Sequence, residues 1–160
     1  MSLLCFSKIA QKQKKTSEVC MRYVDIYVFG GFIEDSGIGY WQTLLRYGKR
    51  EKYISGRIAG WNSIRCTMVA IAEGLKALKE PCNVTVYTQC DFIPKTFEVG
   101  WKRKSNLDLW MVIDDSAAVH TVQYRWYQKI KSVFRDYFRR TEEVNENGST
   151  ASGDNSGRTH

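Results

Sequence analysis

At 160 residues the chain is long enough to bury a core of its own and reads as one domain with short ends. Twenty-four Lys and Arg against 17 Asp and Glu leave a formal charge of +7, which favours a polyanionic partner, nucleic acid ahead of an anionic membrane. No apolar run nears the roughly 18 residues of a membrane-spanning helix, and the five cysteines lack CxxC or Cys/His spacing, which excludes a membrane span and a zinc site.

Cys5, Cys20, Cys66, Cys82 and Cys90 read as reduced thiols, and the expected location is cytoplasmic. In residues 1–20 the apolar spacing of Leu3, Leu4, Phe6 and Ile9 stops before the QKQKK run, so this segment reads as a basic N-terminal arm. It is too short in its apolar part for a signal peptide. Val24, Ile26 and Val28 then alternate with Asp25, Tyr27 and Phe29, the period of a half-buried strand. Gly30-Gly31 and the run from Glu34 to Gly37 are expected to break it, with residues 39–45 returning antiparallel as a hairpin. Residues 51–57 continue as a third strand after the basic turn at Gly48.

Asn62 or Ser63 is a suitable N-cap for a helix over 64–79, stopped by Pro81. Ile64, Met68, Ile71, Leu75 and Leu78 recur at three- and four-residue steps, so one face is buried, and Gly74 within it implies close packing on a sheet. Residues 83–88 are a β-branched strand that a right-handed crossover places parallel to the first. Asp91 fits as the cap of a short helix, residues 101–104 as a basic loop, 107–118 as a third helix and 120–127 as a fifth strand. Residues 130–141 form a closing helix, and 142–160, rich in Asn, Gly, Ser and Thr, read as a disordered tail. The domain proper is thus 21–141, in the order β-β-β-α-β-α-α-β-α. That order predicts an α/β fold with a mixed five-stranded sheet and helices on both faces.

Six pieces in this order resemble the ribonuclease H family: the glycine-bearing hairpin, REKYISGR, MVAIAEGLKALKEPC, VTVYT, NLDLWMVID and HTVQYRWYQK. The resemblance implies a fold and also a site. In that family divalent metals held by a carboxylate cluster hydrolyse the RNA strand of an RNA–DNA hybrid. Matched to the motifs, the strand-one aspartate is Phe29, the first-helix glutamate Thr67 and the strand-four aspartate Gln89. Asp136 stands as the candidate remnant of the fourth carboxylate. The histidine-bearing loop of the family is missing between Tyr127 and Ile130.

From those departures the expected function is a catalytically inactive ribonuclease H-like domain, not an enzyme. It is expected to bind nucleic acid, an RNA–DNA hybrid or an RNA-containing duplex, with no cofactor, no metal and no membrane. The candidate contact residues are Trp61, Asn62, Ser63 and Arg65 at the entry to the first helix, and Trp101, Lys102, Arg103 and Lys104 in the basic loop. Cations interleaved with aromatics suit phosphate contact and stacking; the segments 12–15 and 49–52 add further basic groups. Two rivals stay open. The first is a protein-interaction scaffold of a nucleic-acid-processing complex, as the connection domains of retroviral reverse transcriptases are. The second is a metal-dependent ribonuclease with relocated carboxylates, drawn from Asp25, Glu73, Asp91, Asp114 or Asp115.

Overall fold

The computed structural model describes residues 21–157, with side chains through residue 146; the basic arm assigned to 1–20 lies outside the described residues. Residues up to Gln128 form one compact unit and those from Lys129 a second. The first unit contains β1 (Arg22–Ile33), β2 (Ile38–Tyr47), β3 (Arg50–Ala59), α1 (Ser63–Lys76), β4 (Cys82–Thr88), α2 (Phe92–Glu98), α3 (Leu107–Ala117) and β5 (Thr121–Trp126). The second contains α4 (Ile130–Gly157).

The five strands form one sheet in the order β3-β2-β1-β4-β5. β1–β2 and β2–β3 are antiparallel, while β1–β4 and β4–β5 are parallel. The α/β fold with a mixed five-stranded sheet is therefore the observed architecture. Alternation sorts the strands cleanly. Val24, Ile26 and Val28 of β1 and Val84 and Val86 of β4 are buried on one face. Met68, Ile71 and Leu75 of α1 and Ile113 of α3 complete the core. Each such side chain contributes about 1.5–3 kcal/mol by leaving water. The buried Thr43 hydroxyl donates to the Ala70 carbonyl at 2.7 Å and so pins β2 to α1. At Gly74 a Cβ would stand 2.8 Å from Thr43 Cγ2 and 3.0 Å from Ile26 Cγ2, which is the close packing that its place in the helix implied.

Several details differ from the expectations. β1 does not end at Gly30-Gly31 but runs through both to Ile33. The two glycines serve close approach, not a turn: a Cβ on Gly30 would lie 2.5 Å from the Ser63 carbonyl, and one on Gly31 would strike the Tyr40 ring. The turn falls later, where Gly37 has φ +66°. Asp91 makes no side-chain cap on α2 and instead pairs with Lys95 at 2.9 Å, one helical turn on. α4 continues beyond Thr141 to Gly157, where composition had suggested a disordered tail from residue 142. Extending an existing helix fixes one residue per hydrogen bond gained, so poor helix formers follow a formed helix far more readily than they start one.

Candidate functional site

The three positions to which the resemblance assigns carboxylates lie at the same end of the sheet. Tyr27 and Tyr87 are partners across the parallel β1–β4 pair, so Phe29 and Gln89 emerge side by side two residues further along. Thr67 of α1 lies against their chain neighbours on the α1 side of the sheet: the Cβ that Gly30 lacks would lie 2.5 Å from Thr67 Oγ1, and the Cys90 thiol donates to the same oxygen at 3.8 Å. Alternation sends the Phe29 side chain to the opposite face, toward Tyr40. The Thr67 hydroxyl is itself spent on the Ser63 carbonyl, at 2.8 Å. Phe29 leans against Tyr40 with ring centroids 6.0 Å apart, and Trp126 Nε1 ties down the Gln89 carbonyl at 3.2 Å. Burial pushes the Cys90 thiol up, which keeps it protonated and a weak donor. Asp136 lies in the second unit, exposed, with Arg139 at 3.7 Å.

The carboxylate-held metals of the resemblance do not fit this end of the sheet. An aromatic ring, a hydroxyl already donating and an amide replace the hard oxygen ligands that such ions take. Among the described residues no group of three or more His, Cys, Asp or Glu could hold a metal ion. No reaction step is therefore routed through one.

Beside this point the entry to α1 is built as the sequence suggested at one residue and differently at another. Asn62 is the N-cap, its side-chain oxygen accepting from the Arg65 N–H at 2.9 Å. Ser63 is exposed beside it. Arg65, nominated for phosphate contact, is already engaged. Its guanidinium donates to both oxygens of Asp108 at 3.2 and 2.7 Å and to Asn106 Oδ1 at 2.9 Å, and it lies 4.2 Å over the Trp61 ring. Arg65 beside Asp108 holds that carboxyl below the usual carboxylate range, and the carboxylate in turn raises the guanidinium. The arginine thus locks Trp61 in place and fastens α1 to α3.

The same construction recurs in the basic loop. Arg103 forks onto Asp114 and lies 4.6 Å over Trp110 and 5.3 Å over Phe97. Lys95 sits 5.0 Å over Trp101, whose ring is about half exposed. Lys102 and Lys104 are exposed and have no ion pair among the described residues. Of the eight nominated contact residues, two arginines are internally neutralised and two lysines stay available. Asp108, Asn106 and Asp114 were missed as their partners. Arg65 and Asp108 are 43 residues apart, a separation at which no periodicity or motif signals a pair.

This strand order, with α1 after β3 and both α2 and α3 between β4 and β5, defines an α/β domain of ribonuclease H type. Ribonuclease H from Oleidesulfovibrio alaskensis is 33% identical over 120 residues, which span 66% of this chain and 78% of that relative. Ribonuclease H from Legionella pneumophila is 34% identical over 116 residues, 64% of this chain and 81% of that one. No family model matches. Among solved structures, that of LC11-RNase H1 in complex with an RNA/DNA hybrid aligns with a TM-score of 0.57 at 14% identity, over 68% of this chain and 87% of that one. The chain belongs to the ribonuclease H family. These relatives also correct one expectation: they are named as enzymes, so the inference from Phe29, Thr67 and Gln89 to a protein that is not an enzyme is overturned. Three side chains alone do not establish that activity is lost.

No helix among the described residues is long and apolar enough to cross a membrane.

Proposed function

We propose that this domain binds RNA–DNA hybrid, with the entry to α1 and the loop at Trp101 as the contacting surfaces. The observation that carries the reading is membership of the ribonuclease H family, with 78% of a curated relative matched at 33% identity. A structure of the same fold holds an RNA/DNA hybrid, which supports the same class of ligand. The local chemistry is compatible. Asn62 and Ser63 present polar groups at a helix N-terminus, where the helix dipole favours anions. Lys102 and Lys104 supply unpaired charge, and the half-exposed Trp101 ring offers a stacking face. Arg65 acts in this reading as a positioning residue that holds Trp61.

The test is a tryptophan-fluorescence titration with hybrid duplex across a salt series. With about four to six phosphates contacted, log affinity falls against log salt with a slope of about −4 to −5. Changing Lys102 and Lys104 to alanine reduces that slope by about 2 and weakens all sequences alike. Absence of binding at low salt would overturn the reading. Incubating the same mixtures with Mg²⁺ or Mn²⁺ and resolving the products measures hydrolysis directly.

A further inference from the structure

β3 is a free edge of the sheet, ten residues long; Lys49 stands in the turn just before it, and Arg50, Lys52 and Arg57 lie along it. All four are exposed, and none has an ion pair among the described residues. Glu51 is the sole acid from Lys49 to Arg57, and it is taken by Arg46, whose Nε and NH2 approach it at 3.1 and 3.0 Å. The contrast with the nominated arginines is sharp, since Arg65 and Arg103 both spend their charge on α3 carboxylates.

We propose that this edge is a second phosphate-contacting track, taking the sugar–phosphate backbone of nucleic acid that extends beyond the α1 entry. It rests on the hybrid-binding reading and deepens it. The geometry is continuous: β3 passes through Gly60 and Trp61 directly into the Asn62 cap of α1, so the edge strand that carries the cations leads back from that cap. Lys52 and Arg57 stand opposite Leu45 and Tyr40 in the β2–β3 register, and an odd separation puts them on opposite faces of the strand. Charges from both faces bracket a polymer lying along the edge. From Arg50 to Arg57 the strand spans about 23 Å at 3.3 Å per residue, about the length of seven phosphates of one strand at 3.4 Å each. Isolated charges on edge strands are common as a guard against strand pairing. Four of one sign with no acid to answer them exceed what that guard requires.

The experiment uses the full chain and fluorescence anisotropy with two labelled ligands, a short blunt hybrid and the same hybrid with a single-stranded RNA extension. A variant carrying Lys49→Gln, Arg50→Gln, Lys52→Gln and Arg57→Gln is expected to bind the extended ligand about tenfold or more weakly. Its salt slope should be shallower by about 3, at 0.7–0.9 per lost contact. The short hybrid should be affected much less. Arg57→Glu alone, at an exposed site, should weaken the extended ligand with unchanged circular dichroism. If the parent binds neither ligand, the hybrid-binding reading itself fails. If the parent binds both and the fourfold variant keeps the parental slope, the track is overturned while that reading stands. Self-association of the variant with unaltered affinity would also overturn it, by showing that the charges only guard the edge. Equal competition by polyglutamate would overturn it in favour of an acidic protein partner.

Discussion

Gly30 shows how little room the chemistry of this site leaves at the scale of one residue. A methyl group there would press on the Ser63 carbonyl and the Thr67 hydroxyl, both at 2.5 Å, and neither can yield without moving the first turn of α1. Gly30→Ala is therefore expected to destabilise the fold by about 1–3 kcal/mol, as overpacking does. A thermal melt should show a fall of about 4–12 °C, and an unchanged midpoint would mean that α1 sits further from β1. The glycine was legible as a family position, but its reason was not. In sequence a glycine pair after an alternating run looks the same whether it ends a strand or lets a helix approach it. Arg65 teaches the same lesson with charge. Its position beside Asn62 was readable, whereas its commitment to Asp108 depends on a fold that brings α3 against α1.

At the scale of elements, His120 links three of them. Just before β5 begins, its Nδ1 accepts from the Cys82 N–H at 3.1 Å at the start of β4, and the Leu75 backbone at the end of α1 also acts on its ring. Burial pushes its pKa down, and the Leu75 backbone only partly opposes that. Protonation would turn Nδ1 into a donor facing another donor. The sign follows from linkage. Between the depressed folded value and the unfolded value of about 6.5, the unfolded chain holds more protons. Stability is thus complete above about pH 6.5 and declines as the pH falls through the folded value. Urea midpoints measured from pH 7.5 to 5 should show this decline, and His120→Gln should flatten it relative to the parent. Among the elements themselves, the periodic ones were legible: β1, β4 and α1 each announce a buried face, although Ile64, read as part of that face of α1, is exposed in its first turn and Leu78 lies beyond its end. The ends were less so. β1 outran its glycines and α4 outran its composition, because strand pairing and helix propagation are decided by neighbours and not by the residue itself.

For the molecule as a whole, the order of elements is what the sequence carried best, since six weak local matches in the right succession leave few topologies. A site shared by positions 29, 67 and 89 depends on that topology, because it needs β1 and β4 to be parallel neighbours with α1 packed over their ends. It can be tested by restoring charge. A variant with Phe29→Asp, Thr67→Glu and Gln89→Asp is expected to bring three carboxylates together, where they repel one another. Without metal it should melt below the parent, the more so because Thr67 is 3% exposed and its side chain is enclosed. Mg²⁺ or Mn²⁺ should then bind the folded form and relieve the repulsion, stabilising it by about 2.7 kcal/mol at a hundredfold excess over Kd, so that the melting temperature rises with concentration. The difference between variant and parent is the readout, whatever activity either shows. If both respond alike to the ions, the three positions do not share a site, and the match of this chain to the family's carboxylate positions is wrong at one or more of them.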